Sequence, residues 1–381
     1  MALTELAIGG FDDMEGLAVL FLSRAADAKT IVNRDQQGGV EDGGHGHCWR
    51  TYKLVENNNN TSLITLLPSD IFNSHVLPRL DGPTLTSAAF SSSELHTLCT
   101  RNHLWQKICS ATWPSLNHPL TASLISTFPA GHFSIFSHSF PSPSINHNRP
   151  IPTSSLPPPP ELISAVDLYY QGKPFFSKVH VTVTRKTWFL STPLWLDILE
   201  PNEVVPTDLK FPGNDDVELL KHLEENLTLS WIMIDPSSKR AVNLSGRSVV
   251  STRWQSLTEE LEVVYAVMVE EEVQCGIKVT CCGKVGGAMH VREISLTMED
   301  MDGRHVMGKE SMVILQRAME SVKRKRVGGI IEAKESYEKF CERKRERRER
   351  LIKRHKTLDR VADSMLVVFT IVALLAWFRM S

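Results

Sequence analysis

With 381 residues the chain has room for two or three domains at roughly 150 residues each. Apolar residues at 42% and charged residues at 23% fit an ordinary folded chain and exclude a polytopic membrane protein, a collagen and a wholly disordered polypeptide. The net charge of −2 excludes bulk affinity for nucleic acid, but 17 basic and 8 acidic residues between Arg317 and Arg360 give that segment +9 and leave −11 for the rest.

Residues 1–60 are punctuated by QQGGVEDGGHGH and NNNN and read as a mostly flexible region with one short helix over 14–26. The short apolar stretch there follows Asp12, Asp13 and Glu15 and lacks a basic start, so no secretory signal is expected. Cysteines at 48, 99, 109, 275, 281, 282 and 341 are odd in number and scattered, which points to a reducing compartment, cytoplasm or nucleus, rather than a disulfide framework.

From 61 to 118 the pattern turns helical. Pro68, Ser69 and Asp70 suit a helix start, and Pro78 ends that helix because its ring forbids the next backbone bond. Asp81-Gly82-Pro83 starts a second helix, Ser93 a third and Asn102 a fourth. Such brief helices hold little structure alone, and about fifty residues make a small core. Leu67, Leu77, Leu80, Leu104 and Trp105 are expected to leave some apolar surface uncovered as a partner-binding patch, although an ordinary bundle would use the same residues as core.

The string LP-SDIF-HVLPRLDGPTL…SSEL…LW-KIC resembles an F-box, in particular that of a plant subfamily with the run LPRLDGPTL. Ser91 departs from it, since many F-boxes carry Val there. The resemblance implies docking to a Skp-type adaptor, and through it to the cullin and RING subunits of an SCF-type ubiquitin ligase. It implies that Leu67, Pro68, Ile71, Val76, Leu77, Leu80, Leu85, Leu98, Leu104, Trp105 and Ile108 face or support that adaptor. Leu77, Leu104 and Trp105 are the expected anchors, because large side chains dominate such interfaces.

Residues 119–160 hold eight prolines within 137–160 and read as a Pro/Ser-rich linker. Over 161–322, alternation at Val179, Val181 and Val183 and β-branched runs between Gly, Pro and Asp predict seven or eight strands of a β-sandwich or jelly roll, followed by a helix with Met312, Leu315, Met319 and Val322 on one face. The fold class is thus α+β, with an N-terminal helical module, a β-rich domain, a charged helix and a C-terminal apolar helix. SWIMIDPSSKRAVNLSGR and HVREISLTMEDMDGRHVMGKESMVILQRAME resemble the same subfamily, which assigns 161–322 to holding a target protein. A lectin-like domain is the alternative, with Trp188, Trp195, Trp231 and Trp254 stacking on sugar.

No chemistry is legible. The run from Gly303 to Gly308-Lys309 is one residue short of a phosphate-binding loop and carries Glu310 where Ser or Thr would bind magnesium. Cys275, Cys281, Cys282 and His290 lack zinc spacing. Neither catalytic residues, nor a cofactor, nor a metal is expected. The segment 323–360, with KRKR and RKRERR, predicts a solvated basic helix that nuclear import could read or that could attract anionic lipid or nucleic acid, with no specific nucleic-acid partner expected. Residues 361–379, including the uncharged MLVVFTIVALLAWF, are the candidate for a tail anchor facing the cytosol; packing on protein is the other reading.

Overall fold

The computed structural model describes residues 72–91, 93–140, 157–211, 217–244, 249–255, 257–270, 272–320 and 329–380. It divides into two compact units at Cys109/Ser110. The expected helix over 14–26, the caps Ser69 and Asp70, the site candidates Leu67, Pro68 and Ile71, and KRKR at 323–326 lie outside the described residues.

In the first unit a π-helical turn at Phe72–Val76 passes into a 3₁₀ turn at Leu77–Arg79, where Pro78 tolerates the missing donor. Helices α1 (Gly82–Ala89), α2 (Ser93–Cys99) and α3 (Asn102–Thr112) follow, the last running past the division at Cys109/Ser110. Asp81 caps α1: its backbone is extended and its carboxylate accepts the Thr84 amide at 2.9 Å. Pro83 fits the first turn, where the amide has no helical partner anyway.

The second unit begins at Ser110, and a 3₁₀ turn at Pro114–Asn117 leads to α4 (Pro119–Ser126) and α5 (His132–Ser139). This corrects the expected linker over 119–160: its first part is helical, with Ile125, Ile135 and Phe136 buried. The unit also begins before residue 118, since Ser115 and Leu116 are buried within it.

Among the described residues ten antiparallel strands form two sheets, rather than the seven or eight expected. β1 (Glu161–Tyr170), β2 (Lys173–Val183), β5 (Leu227–Asp235) and β6 (Arg240–Asn243) make a four-stranded sheet in the order β2-β1-β5-β6. β3 (Trp195–Asp197), β4 (Val205–Lys210), β7 (Val249–Gln255), β8 (Glu260–Glu270), β9 (Val273–Gly283) and β10 (Ala288–Asp300) make the second, ordered β3-β10-β9-β8-β7, with β4 also on β10. Both sheets feed one apolar cluster. Val166, Leu168, Trp231 and Met233 come from one, and Val263, Tyr265, Ile277, Ile294 and Leu296 from the other. That shared core gives the sandwich character predicted from strand periodicity.

Helices complete the unit. α6 (Thr187–Ser191) and α7 (Val217–Asn226) were not expected. Tyr170 and His222 join β1 to α7 at 2.9 Å, and Thr252 Oγ1 donates to Glu224 at 3.1 Å. In α8 (Gly308–Glu320), Met312, Leu315 and Met319 are buried on the predicted face; Val322 lies outside the described residues. The expected charged helix and apolar helix are one continuous helix, α9 (Gly329–Met380). Its start is not wholly solvated, because Phe340 is fully buried with Met268 and Met301. Among the described residues no helix is long and apolar enough to cross a membrane, so the expected transmembrane anchor finds no support.

Candidate functional site

The first unit shows how a short helical module sorts its apolar residues. Leu77, Leu80, Leu85, Leu95, Leu104 and Trp105 are buried. The Trp105 indole N–H donates to the Cys99 carbonyl at 2.6 Å, so the ring is held by its own module as well as hidden. Of the five residues expected to leave some apolar surface uncovered, Leu77, Leu80, Leu104 and Trp105 are buried, and Leu67 lies outside the described residues. Val76, Leu98 and Ile108 are half-exposed. Phe90, which sequence reasoning missed, is 51% exposed at the end of α1. Its signal was there: Phe90 stands five places after Leu85, off the stripe that Leu85 and Ala89 share.

In the second unit the candidates for other chemistry resolve into structure. The Gly303–Gly308 turn has no free cradle for a phosphate. Asp302 and Arg304 amides donate to the Asp300 carboxylate at 2.8 and 2.9 Å, and the Gly303 amide to the Asp300 carbonyl at 3.1 Å. The Val306 amide is taken by Met298 and that of Gly308 by Thr192. Gly308 is glycine because a Cβ would stand 2.0 Å from the Phe189 carbonyl oxygen. Glu299 and Asp302 at this turn hold Lys344 at 2.8 Å and Arg347 at 2.7 Å, so the acidic turn is where α9 lands.

Cys281 faces the core and Cys282 the outer side, as strand alternation requires, and Cys282 pairs with His290 across β9 and β10. Burial pushes the Cys281 thiol up to about 12 and raises Cys275 as well, so both thiols are protonated core groups. No group of three or more His, Cys, Asp or Glu among the described residues could hold a metal ion.

The four tryptophans considered as a sugar platform do not share a face of one kind. Trp231 is fully buried and donates to Ser164 at 3.2 Å, and Trp254 is half-buried against Phe211. Trp188 and Trp195 are exposed, and Trp195 donates to Asp197 at 2.6 Å. A polar cleft of about 390 Å³, lined in part by His138, Ser238, Lys239 and Arg240, opens beside α5 and the β5–β6 turn. Burial and the neighbouring Arg240 hold the His138 imidazole below its ordinary value.

Comparison with known proteins settles the family. The F-box protein At2g27310 of Arabidopsis thaliana is 41% identical over 79% of this chain and 92% of its own length. The chain belongs to the plant F-box proteins. The F-box protein At3g44326 of the same plant is 40% identical over 74% of this chain and 80% of its own. No family model and no solved structure matches. In this F-box protein the match reaches far beyond fifty residues, so the β-rich unit is as much a family property as the helical module. The first unit therefore presents Val76, Phe90, Leu98 and Ile108 at its surface, over a core of Leu77, Leu85, Leu104 and Trp105.

Proposed function

We propose that this F-box protein is a substrate-recognition subunit of an SCF-type ubiquitin ligase. Residues 61–118 dock a Skp-type adaptor, which brings the cullin and RING subunits, and the β-rich domain over 161–322 holds a target protein. The protein performs no bond chemistry. It acts by proximity, raising the effective concentration of target lysines around a ubiquitin-charged enzyme.

The observation that carries this reading is the surface left by the first unit. Val76, Leu98 and Ile108 lie half-exposed on separate short elements whose larger apolar neighbours are already buried. Covering them offers roughly 25 cal/mol per Å² of apolar area. The roles within the expected set divide accordingly. Val76, Leu98 and Ile108 face the adaptor, and the exposed Phe90 adds apolar surface, while Leu77, Leu80, Leu85, Leu104 and Trp105 support the module from within. Leu67, Pro68 and Ile71 are assigned to the adaptor by the sequence pattern alone.

Co-purification of the full-length chain with a Skp-type adaptor, and of cullin and RING subunits through it, is the experiment. Retention of all three supports the reading. A folded chain that retains no adaptor favours the alternative, a binding protein of the same fold without ligase activity, for which the exposed Trp188 and Trp195 are the stacking groups left.

A further inference from the structure

α9 leaves its landing site and continues without cover. Phe340 is buried, and Lys344 and Arg347 are anchored to Glu299 and Asp302, but every described side chain from Arg345 to Val372 is exposed. The helix has two parts of different chemistry. Between Arg343 and Arg360 it carries ten Lys or Arg against three Asp or Glu. Among the described residues Arg348, Lys353, Arg354, Lys356 and Arg360 join no ion pair.

Beyond Arg360 the side chains turn apolar. Met365 is 70% exposed, Leu366 68% and Phe369 75%, and Val367, Val368, Ile371 and Val372 are exposed with them. At about 100° per residue these positions reach every quadrant of the helix. Two copies paired as a coiled coil would cover one stripe and leave the rest in water. A medium that surrounds the helix covers all of it. Asp363 is the sole acidic residue after Asp359 and stands next to the basic part, at the boundary between the two chemistries.

We infer that the distal part of α9 docks on an acidic lipid bilayer, with the apolar end immersed in the hydrocarbon and the basic stretch from Arg348 to Arg360 lying against anionic headgroups. Charge complementarity selects the surface: each cation near an anionic leaflet adds attraction that falls off within a Debye length. Immersion is enough, and no crossing is invoked. The inference is independent of the adaptor reading, because none of these residues belongs to the F-box.

Flotation of the full-length chain with vesicles tests it. Binding to phosphatidylcholine vesicles containing phosphatidylserine should exceed binding to phosphatidylcholine alone by on the order of tenfold or more. Replacing Arg348, Lys353, Arg354, Lys356 and Arg360 together by Gln should erase that preference. Leu366→Glu with Phe369→Glu should abolish binding to both vesicles while leaving adaptor co-purification unchanged. The inference is overturned if the full-length chain floats with neither vesicle, or if phosphatidylserine makes no difference. It is also overturned if the lipid-free chain is a discrete dimer that the double Glu variant converts to monomer without any loss of vesicle binding.

Discussion

Single residues in the β unit carry contacts that no local pattern announces. Asp167 is fully buried and accepts three hydrogen bonds, from the Ser115 amide at 2.9 Å, the Ser115 hydroxyl at 2.5 Å and the Ser177 hydroxyl at 2.6 Å. Removing the acceptor by Asp167→Ala leaves buried donors unpaired and should cost about 3 kcal/mol in urea denaturation. Burial pushes this carboxyl above the usual carboxylate range, and the three donors pull it part of the way back. A folded value above the unfolded one means that its contribution is full at low pH and fades as the pH rises through the folded value. Asp167→Asn should therefore cost less relative to the native chain at about pH 7 than at about pH 4. A cost that grows with pH would contradict this. Asp167 was illegible in the sequence because Ser115 stands 52 residues away. The cysteines were legible, since adjacent Cys281 and Cys282 must face opposite ways in any strand. Their reactivity follows from the same geometry. With Cys99 pushed up to about 11 and Cys109 and Cys281 to about 12, native alkylation followed by mass spectrometry should label Cys282 and Cys341 well before these three. Equal rates would show that β9 opens readily.

At the scale of elements, α9 is held to the β unit by a small contact set. Phe340 packs on Met268 and Met301, and the Lys344–Glu299 and Arg347–Asp302 pairs flank it. Half-exposed ion pairs contribute little each, about 0.5 kcal/mol, so the aromatic ring dominates. Phe340→Ala should release the helix start: amide exchange over 335–348 should rise by at least an order of magnitude while β8, β9 and β10 keep their protection. Loss of protection throughout the strands would mean that Phe340 supports the whole sandwich. Gly308→Ala should act oppositely, destabilising the β unit by about 3 kcal/mol through its collision with the Phe189 carbonyl, with no effect on α9. Strong periodicity made some elements legible, such as β2 through Val179, Val181 and Val183 and α8 through Met312, Leu315 and Met319. Others hid for physical reasons. α4 and α5 sit in text rich in Ser, Pro and Phe, where tertiary burial of Ile125, Ile135 and Phe136 overrides weak propensity. α7, with Leu223 as its only buried residue, lies in a stretch whose charge resembles a loop.

Taken along the chain, the described residues fall into a helical module with a sparse apolar surface, a two-sheet β unit, and a basic helix with an apolar end. The charge split legible in the sequence marks the last of these. The family was legible in LPRLDGPTL, yet which of the module's apolar residues are buried was not, because periodicity cannot tell a buried stripe from an exposed one. The central proposal is that the half-exposed Val76, Leu98 and Ile108 bind the adaptor and the buried leucines and Trp105 support them. Calorimetric titration of a Skp-type adaptor into the full-length chain, alongside thermal unfolding, separates the two roles. Leu98→Asp with Ile108→Asp should weaken binding by at least about a hundredfold with little change in unfolding, as expected when an interface centre is charged. Leu104→Ala with Trp105→Ala should lower stability by several kcal/mol, roughly 3–5 for the aromatic ring alone, and lose binding through unfolding. Undiminished adaptor affinity in the Leu98 and Ile108 double variant, with the module still folded, would contradict the account.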